Sequence, residues 1–331
     1  MRALITGSSG QIGTNLALRC LGEGYEVLGV DRRQNTWTDL VDLRLEDLVS
    51  PGALLELEHF NPDVVVHLAG HAKVHQLVRE PQLALENMVM THNVLEYCRR
   101  QRVPVIFASS REVYGDLLCS TTEEKDADHA FAKSTYSASK LAGEAMVQAY
   151  ARCFEIPFIV LRLSNVYGRF DNDLDRMERV LPLFIRKIRQ DEPVTIYGAE
   201  KVLDFTYVDD CVDGVMRAMQ CLTLRQVCNQ TFNLAFGEGY TLMQAVEYLG
   251  AALNKTPRVH VAPTRVGEVT RYVANLNRAR AELGFHPKVP LSEGLARSVA
   301  WSLNWEALHS KTELLTLQPP STLEQSFLGR V

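Results

Sequence analysis

Apolar and polar positions along the first half of the chain follow two alternating periods. Ala3–Thr6, Glu26–Val30, Val64–Leu68, Val105–Ser109 and Phe158–Leu163 are short, nearly continuous runs of Val, Ile and Leu. Between them, Ile12–Gly22, Pro81–Arg100 and Thr135–Cys153 carry apolar residues at helical spacing. Strands alternating with helices imply crossovers and a parallel sheet covered on both faces. Continuous apolar runs fit burial on both sides of that sheet. Right-handed crossovers then give an α/β, doubly wound Rossmann architecture.

After Gly168 the texture changes. Phe170–Arg179 is charged and reads as a loop or lid, and Val180–Arg189 reads as a helix. Val202–Val208 and Thr231–Ala235 read as strands, with a helix after Asp210, and Leu242–Leu253 and Leu291–Leu303 as further helices. The expected division is a nucleotide-binding domain over 1–168, with elements around 202–235 returning to it. A smaller substrate-binding lobe over 169–309 and a polar tail over 310–331 complete it.

The 331 residues are 46% hydrophobic and 23% charged, which excludes bulk disorder and allows a large core. A net charge of −5 argues against a general nucleic-acid or anionic-membrane binder. No apolar run reaches the roughly 18 residues of a membrane span. The first residues lead straight into a motif rather than a signal peptide. Seven scattered cysteines without a Cys-x-x-Cys pair read as free thiols in a reducing cytoplasm.

The motif at the start is Gly7-Ser8-Ser9-Gly10-Gln11-Ile12-Gly13, set between the first strand and the first helix. Glycines there let the backbone approach a pyrophosphate held on the helix N-terminus. A tight strand–helix turn is the plain alternative. Asp31 stands 18 positions past Gly13, at the end of the second apolar run. A carboxylate there accepts both ribose hydroxyls of NAD and repels a 2′-phosphate, although Arg32 and Arg33 follow it. Asp42 and Leu43 are candidates to flank the adenine.

Tyr136-Ser137-Ala138-Ser139-Lys140 places a phenol and an ammonium on one helix face. Acting as a base near neutral pH, a tyrosine needs its ordinary pKa of about 10 lowered by about 3 units, roughly 4 kcal/mol. Lys140 and an oxidised nicotinamide would both push that way. Ser110 follows a strand end, where ligands bind in such sheets, and can hydrogen-bond a substrate hydroxyl in concert with Tyr136.

Matching stretches from Leu4 to about Trp301 resemble the extended short-chain dehydrogenase/reductase family, in its NAD-dependent nucleotide-sugar epimerase/dehydratase branch. They are Thr6–Gly13, His67-Leu68-Ala69, Asn87, Ser109–Gly115, Tyr136–Lys140, Arg162–Gly168, Asp204–Asp210 and Leu283-Gly284-Phe285. The resemblance implies NAD held by Gly7, Gly10, Gln11, Ile12, Gly13, Asp31, Arg32, Asp42, Leu43, Leu68, Ala69, Asn87, Ser109, Tyr136 and Lys140. It implies Tyr136 as base, Lys140 acidifying it and binding the nicotinamide ribose, and Ser110 orienting a sugar hydroxyl. Hydride transfer from sugar C4 then gives a 4-keto sugar.

The fate of that ketone separates epimerases, 4,6-dehydratases and decarboxylases. Glu112 resembles the dehydratase base that removes the C5 proton, and decarboxylases carry it too. Arg111 stands where glucose-type dehydratases have an Asp acid. A surface ion pair between the two is the plain alternative.

Asn165, Arg265 and Tyr197 resemble groups that hold the substrate diphosphate and nucleotide base, Arg179 loosely matches an arginine that decarboxylases carry with the Glu, and Ser110 and Arg111 complete the candidate substrate contacts. Leu203 replaces an arginine of the family's Arg-Asp-Phe, and Leu77 replaces a common serine. The leading expectation is a UDP-sugar 4-epimerase. The alternatives are a 4,6-dehydratase or UDP-glucuronate decarboxylase using Glu112, and an NAD-binding scaffold or sensor. A homodimer through the helices around 85–100 and 135–152 is implied by resemblance. His67, His71 and His75 recur every four residues. They do not share a helix face, so no metal is expected there, and Arg99–Arg102 reads as helix capping.

Overall fold

The computed structural model describes residues 1–116, 120–128, 131–171 and 179–316, with side chains to residue 307. Its first half contains β1 (Arg2–Thr6), α1 (Gln11–Gly22), β2 (Glu26–Asp31), β3 (Asp42–Leu45), β4 (Val64–His67) and α2 (Val74–Arg79). α3 (Gln82–Gln101), β5 (Val105–Ser110), α4 (Thr135–Phe154) and β6 (Phe158–Leu163) follow. Each of the five anticipated strands and three anticipated helices is present, with ends moved by no more than a residue or so. Every residue of β4, β5 and β6 is buried, which is why these runs lack polar alternation.

The second half contains β7 (Asn165–Tyr167), α5 (Val180–Arg189), β8 (Val194–Tyr197), β9 (Val202–Tyr207), α6 (Val208–Thr223) and β10 (Gln230–Leu234). β11 (Gly239–Tyr240), α7 (Leu242–Leu253), β12 (Val259–Ala262), β13 (Arg271–Tyr272), α8 (Asn277–Leu283) and α9 (Leu291–Thr316) complete it.

A seven-stranded sheet runs β10-β6-β5-β4-β1-β2-β3, with every pair parallel. Chain direction along this order reverses between β1 and β4, the switch point where the crevice for a ligand opens beyond the strand C-termini. Of the elements around 202–235, β10 enters this sheet, whereas β9 lies in a separate small sheet with β7, β11 and β13. β8 pairs with β12 in a third.

α9 corrects the sequence reading. It continues well past Leu303, through the start of the segment taken as a tail, to Thr316. Residues 317–331 and the central part of the 170–179 loop lie outside the described residues.

Two local features set α4 against β5. The helix opens on a reciprocal cap: Ser134 Oγ accepts from Ser137 N at 3.1 Å, and Ser137 Oγ accepts from Ser134 N at 3.0 Å. Gly143 then packs on the Phe107 ring, where an added Cβ would stand 2.4 Å from a ring carbon. The helix axis therefore comes close to β5, and its first two turns reach the sheet's C-terminal edge.

Candidate active site

A cavity of 910 Å³ lies along that edge. Gly7, Gly10, Gln11, Ile12, Gly13, Asp31 and Arg32 line one arm. Leu68, Ala69, Ser109, Ser110, Tyr136 and Lys140 line the middle, and Arg111, Glu112, Asn165, Arg179, Tyr197 and Arg265 line the other arm.

Gly13 shows why the first arm needs glycine. A Cβ there would stand 2.2 Å from the Gly7 carbonyl oxygen. The amides of the first helical turn lack i−4 partners within the helix and carry its positive end. Asp31 is buried at the end of β2, and its two oxygens accept Ser9 N and Arg33 N, both at 3.1 Å. Its side chain also lines the cavity.

In the middle, Tyr136 and Lys140 face the end of β5 from one side of α4. Ser110 adjoins the Tyr136 hydroxyl and favours its ionised form, but burial outweighs this and pushes the phenol up to about 12. Lys140 Nζ donates to Ala108 O at 2.8 Å and lies 5.1 Å from the centre of the Phe107 ring. Burial brings the ammonium down to about 8, against the pull of Glu144, so it remains charged at pH 7. The expected acidification of Tyr136 is therefore not expressed in this arrangement; desolvation wins.

In the other arm, Arg111 and Glu112 do form an ion pair, Nη2 to Oε1 at 2.8 Å, but it is buried in the cavity wall rather than at the surface. Arg111 Nε donates to Asn165 Oδ1 at 3.2 Å, and Asn165 Nδ2 to Asp204 O at 2.9 Å. Glu112 Oε2 and Arg111 Nη1 are buried without a partner. Burial raises the Glu112 carboxyl, with Arg111 opposing. Arg265 lies over the Tyr197 ring at 3.9 Å, a cation–π contact that fixes its guanidinium. Arg179 pairs with Asp171 at 3.1 Å and donates to Gln11 Oε1 at 2.9 Å, so it bridges the two arms.

Three sequence-chosen residues do not line the cavity. Asp42 and Leu43 open β3 at its far end, because β3 pairs with β2 from Leu28↔Asp42 to Asp31↔Leu45. The residues that follow the strand, Glu46, Asp47 and Leu48, form the wall instead. Asn87 stands behind the wall: its Oδ1 accepts His71 N at 2.7 Å and its Nδ2 donates to His71 O at 3.1 Å, shaping the loop after β4. The sequence reading missed Lys201 and Glu268, which pair across the substrate arm. His67 is buried between Thr6 and Thr91 and held neutral by burial, its pKa lowered to about 3. Among the described residues no three His, Cys, Asp or Glu side chains cluster for a metal.

The model of the NAD dependent epimerase/dehydratase family matches residues 3–235. The chain belongs to that family. It is an enzyme, and its cofactor is NAD. The glycine cradle and the carboxylate at the end of β2 fit a dinucleotide along the first arm.

A probable UDP-glucuronate 4-epimerase of Rhizobium meliloti is 30% identical, over 94% of this chain and 99% of that protein. The UDP-glucose 4-epimerase of Thermotoga maritima, solved with UDP-glucose, superposes with a TM-score of 0.85 at 29% identity, over 92% of this chain and 100% of that one. The UDP-glucuronic acid 4-epimerase of Bacillus cereus, solved with UDP-glucuronic acid and NAD, gives 0.84 at 26% identity, with 92% and 100% covered.

Proposed function

We propose that the enzyme inverts C4 of a UDP-sugar by transient oxidation. The observation that carries this reading is the Ser110–Tyr136 hydroxyl pair, with Lys140 one turn further, at the junction of the two cavity arms. NAD held in the first arm would supply a hydride acceptor and donor, and inversion requires that the 4-keto sugar present its opposite face when the hydride returns.

Ser110 Oγ holds the C4 hydroxyl, and Tyr136 Oη takes its proton and later returns it. From a pKa near 12, the phenol needs a shift of about 4 to 5 units to work near neutral pH, roughly 6 kcal/mol. Positive charge brought against the phenol, from Lys140 and the oxidised nicotinamide, supplies it. Asn165, Arg179, Tyr197 and Arg265 are our choice for the diphosphate and base, since Arg chelates phosphate oxygens bidentately. The names of the relatives support a UDP-sugar.

A second reading rests on Glu112. A buried carboxyl raised by its surroundings, two residues from Ser110, is suited to removing a proton from C5. That would lead to a 4,6-dehydratase or a UDP-glucuronate decarboxylase. Arg111 engages Oε1 and leaves Oε2 without a partner.

We further infer a homodimer through α3 and α4, supported by Leu85 and Val89, which stand 60% and 40% exposed on α3. A cytoplasmic location is supported by the six described cysteines, all free thiols. Among the described residues no helix is long and apolar enough to cross a membrane.

Tyr136→Phe tests the catalytic assignment. It should keep NAD binding and abolish turnover; a fully active variant would refute the role of the phenol.

A further inference from the structure

All three tryptophans of the chain meet in one cluster with Phe170. Trp301 and Trp305, one turn apart on α9, stack with ring centroids 5.4 Å apart. Trp37 meets Trp305 edge-on at 5.1 Å, and Phe170 meets Trp301 edge-on at 5.5 Å and Trp37 at 5.7 Å. These are the separations at which aromatic pairs attract beyond simple burial.

The attachments of these rings distinguish the cluster from ordinary helix docking. Trp37 belongs to the loop that starts at Asp31, Arg32 and Arg33, three residues of the cofactor arm. Asn35 ties that loop to α1: its Oδ1 accepts Trp37 N at 2.9 Å, and its Nδ2 donates to Thr14 Oγ1 at 3.0 Å. Phe170 has a φ of 58°, a left-handed conformation that strains a residue with a side chain. Such a conformation persists only where the surroundings hold it, and the aromatic rings do so here. The next residue is Asp171, buried and paired with Arg179, which donates to Gln11 in the first turn of α1. One set of ring contacts on α9 thus fixes both flanks of the cofactor arm.

We propose that Trp301 and Trp305 are positioning residues for the cofactor: through Trp37 and Phe170 they clasp the two segments that wall the NAD arm, and so slow its release. The proposal rests on NAD binding and not on the sugar chemistry. Its test therefore stands whatever happens to the C4 reading.

The experiment follows release of NADH, by its own fluorescence, from preloaded protein diluted into excess NAD. The variants are Trp37→Ala, Trp305→Ala and Trp305→Phe, and thermal unfolding is recorded without cofactor. Both alanine variants should release NADH roughly tenfold faster or more, and Trp305→Phe should stay within about twofold of the parent. The cofactor-free melting temperature of Trp37→Ala should stay close to that of the parent. If Trp305→Ala does not fold, Trp37→Ala, which leaves α9 intact, decides by the same reading. Unchanged release from Trp37→Ala, or release from Trp305→Phe as fast as from Trp305→Ala, would overturn the proposal and leave the cluster as helix docking alone.

Discussion

Replacing Lys140 by Met should destroy turnover and yet stabilise the cofactor-free protein. The side chain is buried, and burial lowers the ammonium from 10.5 to about 8. That gap is worth about 3 kcal/mol of destabilisation at pH 7. Below pH 8 both folded and unfolded chains hold the proton, and the penalty is fully present. Between pH 8 and 10.5 the folded state gives up its proton first, the unfolded chain binds more protons, and stability rises with pH.

Met fills a similar volume without charge, so it removes the penalty. It also loses the bond to Ala108 O and the contact with the Phe107 ring, together about 1 to 2 kcal/mol. The net gain at pH 7 is then about 1 to 2 kcal/mol. By pH 9.5 the parent has recovered about 2 kcal/mol, and the advantage of Met should vanish. Urea unfolding of both proteins at pH 7 and 9.5 measures this, since other titrating groups are common to the pair. A Met variant less stable than the parent at pH 7, or a difference independent of pH, would refute the reasoning.

Glu112→Gln removes the charge opposite Arg111 in a buried wall; it should reduce epimerisation less than about tenfold. Any dehydration or decarboxylation should disappear in that variant. Gly13→Ala forces a Cβ to within 2.2 Å of the Gly7 carbonyl, and calorimetric titration should show NAD binding weakened by about a hundredfold or more. Glu144→Gln weakens the charged, two-point grip on Arg162, whose Nη2 lies 2.7 Å away in a buried pair; unfolding should show a loss of about 3 kcal/mol, approaching the cost of a broken buried pair.

The parallel sheet is legible because its inner strands are buried on both faces and its helices are amphipathic over several turns, whereas the mostly exposed edge strand β3 gives no such signal. The smaller sheets were not. β7, β11 and β13 are two or three residues long, too short for any period to show. The α9 reading stopped early because the helix turns polar after Leu303, although no glycine or proline interrupts the chain between Gly294 and Pro319.

Gly7, Gly10, Gly13, Ser110, Tyr136 and Lys140 all line the cavity, and each sits at a fixed offset from a strand end or a helix turn that local spacing makes visible. The dipeptide Asp42-Leu43 recurs as Asp47-Leu48 five positions on. Strand direction decides between them, since only residues after β3 reach the ligand edge. Lys201 and Glu268 meet across 67 positions, a pairing that local spacing does not encode. The Arg111–Glu112 pair is legible as adjacent opposite charges, but its burial in the wall is not, since burial of a charged pair depends on what packs over it.

The most direct measurement is proton NMR, with mass analysis, of the purified protein and NAD incubated with UDP-glucose, UDP-GlcNAc, UDP-glucuronate, dTDP-glucose and GDP-mannose. The account requires a new anomeric signal of unchanged mass from a UDP-sugar. A 4-keto product lighter by one water, or a pentose formed with loss of carbon dioxide, would contradict it and hand the chemistry to Glu112.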